Sequence, residues 1–139
     1  MKVQPYLFFD GRCDEAIAYY KAVLGAESTF LMRFKDAPDQ PPPGVLPADW
    51  SDKVMHSELR IGDTVVMISD GRCAGQADFQ GISLSLTADG DDHADRLFAS
   101  LADGGTVQMP IGKTFFASRF GMVADRFGVT WLIISPPAG

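Results

Sequence analysis

His56 and Glu58 stand two residues apart in the run Val54-Met55-His56-Ser57-Glu58-Leu59-Arg60-Ile61. On a strand, Val54, His56, Glu58 and Arg60 project from one face, and Met55, Ser57, Leu59 and Ile61 from the other. An imidazole and a carboxylate on one face can work as an acid–base pair or share a divalent ion, so both are candidate catalytic residues. The same two side chains also fit a plainer account: a hydrogen-bonded histidine on a half-exposed face, with Glu58 paired to Arg60 or to a neighbouring strand. The second histidine, His93, falls in the first turn of a helix, where solvent is expected. A site built from several histidines is therefore nearly excluded by count.

Arg33 and Arg119 are candidates for binding an anionic ligand through paired hydrogen bonds, although exposed arginines on a sheet face would look the same. Tyr6, Phe8, Phe30 and Phe34 supply an apolar lining for whichever face they take, with core packing as the default. Trp50 lies in a proline-rich loop, where a large aromatic serves as a lid over a ligand or as a subunit contact. Cys13 and Cys73 each end an Asp-Gly-Arg-Cys tetrapeptide, which reads first as turn chemistry. Without a secretion signal they are expected as thiols, not as a disulfide framework. Cys13 falls near a helix N-terminus, a position that would lower its pKa and raise its reactivity.

The elements that must position these residues emerge from an internal repeat. Ala16, Tyr19, Tyr20, Val23 and Leu24 follow the i, i+3, i+4, i+7, i+8 spacing of one helix face, and Ala94, Leu97, Phe98, Leu101 and Ala102 repeat it 78 residues later. Acidic residues precede both helices and glycines follow them, as the helix dipole and a left-handed cap favour. Arg60–Ser69 aligns without a gap on Arg126–Ser135, an offset of 66. The first copy is thus 12 residues longer between helix and last strands, and the stretch Ala37–Asp52, with Pro38, Pro41, Pro42, Pro43 and Pro47, is where they belong. Strands are predicted near 3–9, 27–35, 54–61 and 64–69, and again near 81–87, 105–110, 116–124 and 129–135. Each copy reads βαβββ. The expected organisation is α+β: a single domain over 1–139, with modules 1–70 and 81–139 joined by a linker, forming an eight-stranded mixed, cup-like sheet with helices outside.

Composition narrows the class. At 139 residues, 46% hydrophobic and 22% charged, the chain can bury a core and is not expected to be disordered. A net charge of −6 without a basic run leaves nothing to neutralise nucleic-acid phosphates, and an acidic surface disfavours anionic membranes. No apolar stretch approaches the roughly 20 residues that span a bilayer. The N-terminal MKVQPYLFFDG lacks a signal-peptide core, so a cytoplasmic location is expected.

Several stretches together resemble the PhnB-like branch of the vicinal oxygen chelate superfamily, which includes glyoxalase and bleomycin-resistance proteins. They are Pro5–Gly11 followed by Glu15-Ala16 and Tyr20; Val54-Met55-His56 with Glu58-Leu59; Met67–Asp70; Phe115-Phe116 with Arg119-Phe120-Gly121; and Asp125–Gly128 with Trp131. The resemblance implies a small molecule held in the cup, a homodimer, and, in metal-dependent relatives, ligands on the first and last strand of each copy. Counting places those positions at about Pro5 (or Gln4 or Tyr6), Ser83, Val66 and Leu132. Proline, valine, serine and leucine supply no adequate donors for a divalent ion, so no metal and no cofactor are expected. The branch also carries a demethylubiquinone methyltransferase label, but no glycine-rich loop opens a parallel βαβ unit here to cradle a nucleoside cofactor. The resemblance therefore favours a metal-free binding protein. The alternative is a lyase, dioxygenase or transferase-like enzyme with His56 as general base, with or without a recruited divalent metal. A role with phosphonates rests on the family's name alone.

Overall fold

The computed structural model describes residues 1–38, 50–71 and 77–137. The chain divides into two compact units, Met1–Ala77 and Asp78–Gly139. The first contains β1 (Tyr6–Phe8), α1 (Cys13–Leu24), β2 (Glu27–Arg33), β3 (Val54–Ile61) and β4 (Thr64–Ser69), with short 3-10 turns at Phe34–Asp36 and Trp50–Asp52. The second contains β5 (Ser83–Thr87), α2 (Asp91–Ala102), β6 (Thr106–Gly112), β7 (Arg119–Ala124) and β8 (Thr130–Ser135). Each unit is one βαβββ copy. The eight expected strands form two mixed four-stranded sheets, ordered β1-β4-β3-β2 and β5-β8-β7-β6. In each, the first strand runs parallel to the last and the remaining pairs are antiparallel. Among the described residues no helix is long and apolar enough to cross a membrane.

Each helix covers one face of its own sheet. Ala16 and Tyr20 of α1 are buried with Leu59, Val66 and Ile68, and Ala94, Leu97 and Leu101 of α2 with Val123, Trp131 and Ile133. Gly25 ends α1 in the left-handed region (φ 66°), which costs glycine least. Gly121 faces α2, and a Cβ there would come within 2.8 Å of the Phe98 ring, so the absent side chain lets helix and sheet approach.

Two features differ from expectation. Predicted strand 116–124 begins only at Arg119, because Thr114 and Ala117 close a turn: the Thr114 N–H donates to the Ala117 carbonyl and the Ala117 N–H to Thr114 Oγ1. The second concerns register. Val66 and Leu132 align in sequence, yet Val66 pairs with Leu59 on the buried, helix-covered face, whereas Leu132 pairs with Met122 on the other. The turns explain the inversion. Ile61 pairs with Thr64 across the two residues Gly62 and Asp63, whereas Ala124 pairs with Thr130 across five. The longer turn is organised by buried Asp125, which accepts N–H groups from Phe127 and Val129 on one oxygen and the Trp131 indole N–H on the other. Glycines that match in sequence thus occupy different places in their turns. Pro5 likewise precedes β1; Tyr6, the alternative left open, takes the open-face position and pairs with Met67.

Candidate functional site

The face of the first sheet turned away from α1 carries two rows of side chains. Strand pairing sets Phe30, Glu58, Met67 and Tyr6 side by side across β2, β3, β4 and β1. One step along lie Met32 and His56, paired, and Phe8 and Ser69, paired. As the alternation in β3 predicted, Ser57 and Leu59 are fully buried against the helix side while His56 and Glu58 are half-buried on this open face.

His56 and Tyr6 share a hydrogen bond, Tyr6 Oη to His56 Nδ1 at 2.7 Å. Tyr6 stacks on Phe8, centroids 4.8 Å apart, and the His56 ring lies 5.4 Å from Tyr6 and 5.8 Å from Phe30. Burial raises the pKa of the Tyr6 phenol above its usual value, while the Ser69 hydroxyl nearby works the other way. Tyr6 therefore keeps its proton through neutral pH and can fix the imidazole tautomer. If the phenol donates to Nδ1, the far nitrogen Nε2 carries the hydrogen and is a donor. If Nδ1–H donates to the phenol, Nε2 is left as an acceptor or base. Either way one imidazole nitrogen remains for a ligand, on a floor of aromatic and thioether groups.

Both candidate arginines are tied to helix acids. Arg33 grips Asp14 of α1 through two hydrogen bonds, 2.8 and 2.9 Å, and donates to the Asp52 carbonyl at 2.7 Å. The guanidinium holds the Asp14 carboxyl below the usual range. Arg119 pairs with Asp95 and Asp91 of α2. Asp91 also accepts the Ser118 and Ser135 hydroxyls, and the Ser118 bond does most to lower its pKa. Trp50 packs edge-on against Phe34, centroids 5.9 Å apart, within the first unit. The proline-rich residues before it, 39–49, lie outside the described residues, as does Cys73. Cys13 opens α1 as expected, but it is fully buried and its N–H donates to Asp70, so the reactivity expected from its position meets a closed site.

Asp70 is the residue that sequence reasoning passed over as turn chemistry. Fully buried, it accepts the N–H groups of Gly11 and Cys13 on one oxygen and of Val54 on the other, at 2.7–3.0 Å. One carboxylate thus clamps the start of α1, just after the strand bearing Tyr6, to the start of the strand bearing His56. Its signal in the sequence was an aspartate directly after a strand, indistinguishable from a turn former.

The open face of the second sheet differs in kind. Pairing places Ser83, Ser85 and Thr87 beside Thr130, Leu132 and Ile134, with Phe120, Met122 and Ala124 beyond. These are hydroxyls and apolar groups with no titratable side chain.

Over residues 1–134 the chain matches the family model described as 3-demethylubiquinone-9 3-methyltransferase. The chain belongs to this family. It is 36% identical to protein YjdN of Escherichia coli, over 96% of this chain and 94% of that one. Protein PA1353 of Pseudomonas aeruginosa is 42% identical with a TM-score of 0.80, covering 98% of each chain. A Bacillus cereus PhnB protein, described as a putative 3-demethylubiquinone-9 3-methyltransferase, has a TM-score of 0.77 at 23% identity, over 97% and 99% of the two chains, and shows the fold alone. So does the fosfomycin resistance protein FosX of Listeria monocytogenes, at 10% identity and a TM-score of 0.67 over 99% and 93% of the chains.

Proposed function

We propose that this PhnB-like protein binds a small molecule without a metal, on the open face of the first sheet, with the Tyr6–His56 pair as its polar anchor. The observation that carries the reading is the 2.7 Å hydrogen bond between two half-exposed polar groups set among Phe8, Phe30, Met32 and Met67. An apolar floor with a few fixed polar groups is the usual make-up of a ligand site. The reading includes a cytoplasmic homodimer as the working form.

The donor set supports the metal-free part. Once register is taken from the strand pairs, the open-face positions on first and last strands are Tyr6 and Met67 in one unit and Ser85 and Leu132 in the other. A phenol kept protonated, a thioether, a hydroxyl and an alkyl group do not make a divalent-cation site. Arg33 and Arg119, already paired with helix acids, are assigned to the scaffold.

A second reading is favoured by the same hydrogen bond. In the tautomer that leaves Nε2 unprotonated, His56 is oriented as a general base, with Glu58 two residues along the same face. Turnover separates the two.

A thermal-shift panel of aryl phosphonates, glycopeptides and quinone precursors tests the proposal, because binding to the native state raises Tm. At least one class is expected to raise Tm for the parent protein, with the shift lost in His56→Ala and reduced in Tyr6→Phe. Unchanged shifts in both variants would overturn the site. Consumption of a bound compound that stops in His56→Ala would replace binding with catalysis, and stoichiometric metal in protein purified without chelator would overturn the metal-free reading.

A further inference from the structure

Charge on the open face of the first sheet is one-sided. Each arginine described in this unit is held by an acid: Arg12 by Glu15, Arg33 by Asp14, Arg60 by Glu27. Lys35 pairs with Asp52, and Lys53 donates to the Gly11 carbonyl. Glu58 has no such counterpart. Among the described residues its carboxylate has neither an ion-pair nor a hydrogen-bond partner, although it is half-buried between Phe30 and Met67.

That arrangement is poorly matched to an anion. A phosphonate or carboxylate lying on Tyr6 and Phe30 would approach Glu58, and the one guanidinium that shares this face among the described residues, Arg60, is already held by Glu27. A neutral ligand covering Glu58 would strip water from a carboxylate and return nothing. A cation repairs both deficits. Its charge meets the carboxylate, and the faces of Tyr6, Phe8 and Phe30 attract positive charge through their ring quadrupoles.

We infer that the ligand class of this site is an aromatic or otherwise apolar molecule bearing a cationic nitrogen placed against Glu58. The inference rests on the Tyr6–His56 site proposed above and adds the sign of the ligand's charge.

Three probes with one ring separate the two claims: benzyltrimethylammonium, benzyl alcohol and benzylphosphonate. Each is titrated into the protein while the ring proton–carbon signals of His56 and His93 are followed by NMR, His93 serving as a control on the other unit. The ammonium compound should move the His56 signal and not the His93 signal, at roughly tenfold lower concentration than benzyl alcohol, with no response to the phosphonate. Glu58→Gln should weaken the ammonium probe by about tenfold and leave benzyl alcohol unchanged. Equal or stronger binding of the alcohol or phosphonate overturns the charge assignment while the site stands, since His56 responds; indifference of the ammonium probe to Glu58→Gln does the same. If none of the three moves His56, the site and the inference fall together. The ranking of probes on the parent protein decides even if the variant does not fold.

Discussion

Arg33 shows how a residue type can suggest chemistry that its neighbours have already taken up. Its planar fork suits a carboxylate, and the carboxylate it meets is Asp14, in the first turn of α1, where a negative charge is also favoured by the helix dipole. The pair is largely solvent-exposed, so its contribution is modest. Arg33→Met should lower stability by about 0.5–1 kcal/mol in urea denaturation at neutral pH. The sign of the pH dependence follows from Asp14. Its pKa is depressed in the fold, so the stabilisation is fully present above the ordinary 3.8 and is lost as pH falls through the lower folded value. The difference between parent and Arg33→Met should therefore hold from neutral pH down to about the ordinary carboxylate range and vanish in stronger acid. A difference that grows in acid would contradict the pairing. That His56 and Glu58 share the open face was legible from alternation alone, because β3 runs without a bulge between them. The Tyr6 partner of His56 was not, since it lies fifty residues away and only the β1–β4–β3 pairing brings it near.

At the scale of elements, the fold rests on how strand ends are pinned. Buried Asp70 joins α1 to β3 through three backbone N–H groups, and no local pattern reveals this because the donors come from two distant segments. Asp70→Asn keeps the shape but turns an amide N–H toward a backbone N–H. It should cost about 1–3 kcal/mol of unfolding free energy, read as a lower urea midpoint with unchanged slope. A neutral substitution would show that water or a small shift satisfies those groups instead. Both helices, both sets of strands and the repeat could be read from apolar periodicity, since that pattern is what buries one face. Register could not. The matching Arg-Ile-Gly and Arg-Phe-Gly tripeptides suggested equivalent turns, yet Asp125 builds a five-residue turn where Gly62-Asp63 makes a two-residue one, and one residue of slip moves every side chain to the opposite face.

Across the whole molecule, two units of one topology carry different faces. The first holds an imidazole, a phenol and a carboxylate among aromatic rings; the second, at its corresponding strands, holds hydroxyls, alkyl groups, the Met122 thioether and the Phe120 ring. Each sheet buries one face under its own helix, and the open faces are where the two units differ. Family membership is shared with proteins named for a methyltransferase, and a shared fold does not fix chemistry. The place where a ligand touches the protein is therefore decisive. The most direct measurement is a set of intermolecular nuclear Overhauser contacts from the tightest compound of the thermal-shift panel. Contacts to the ring protons of His56, Tyr6 and Phe30 are expected. A bound compound whose contacts all fall on other residues would contradict the proposed site.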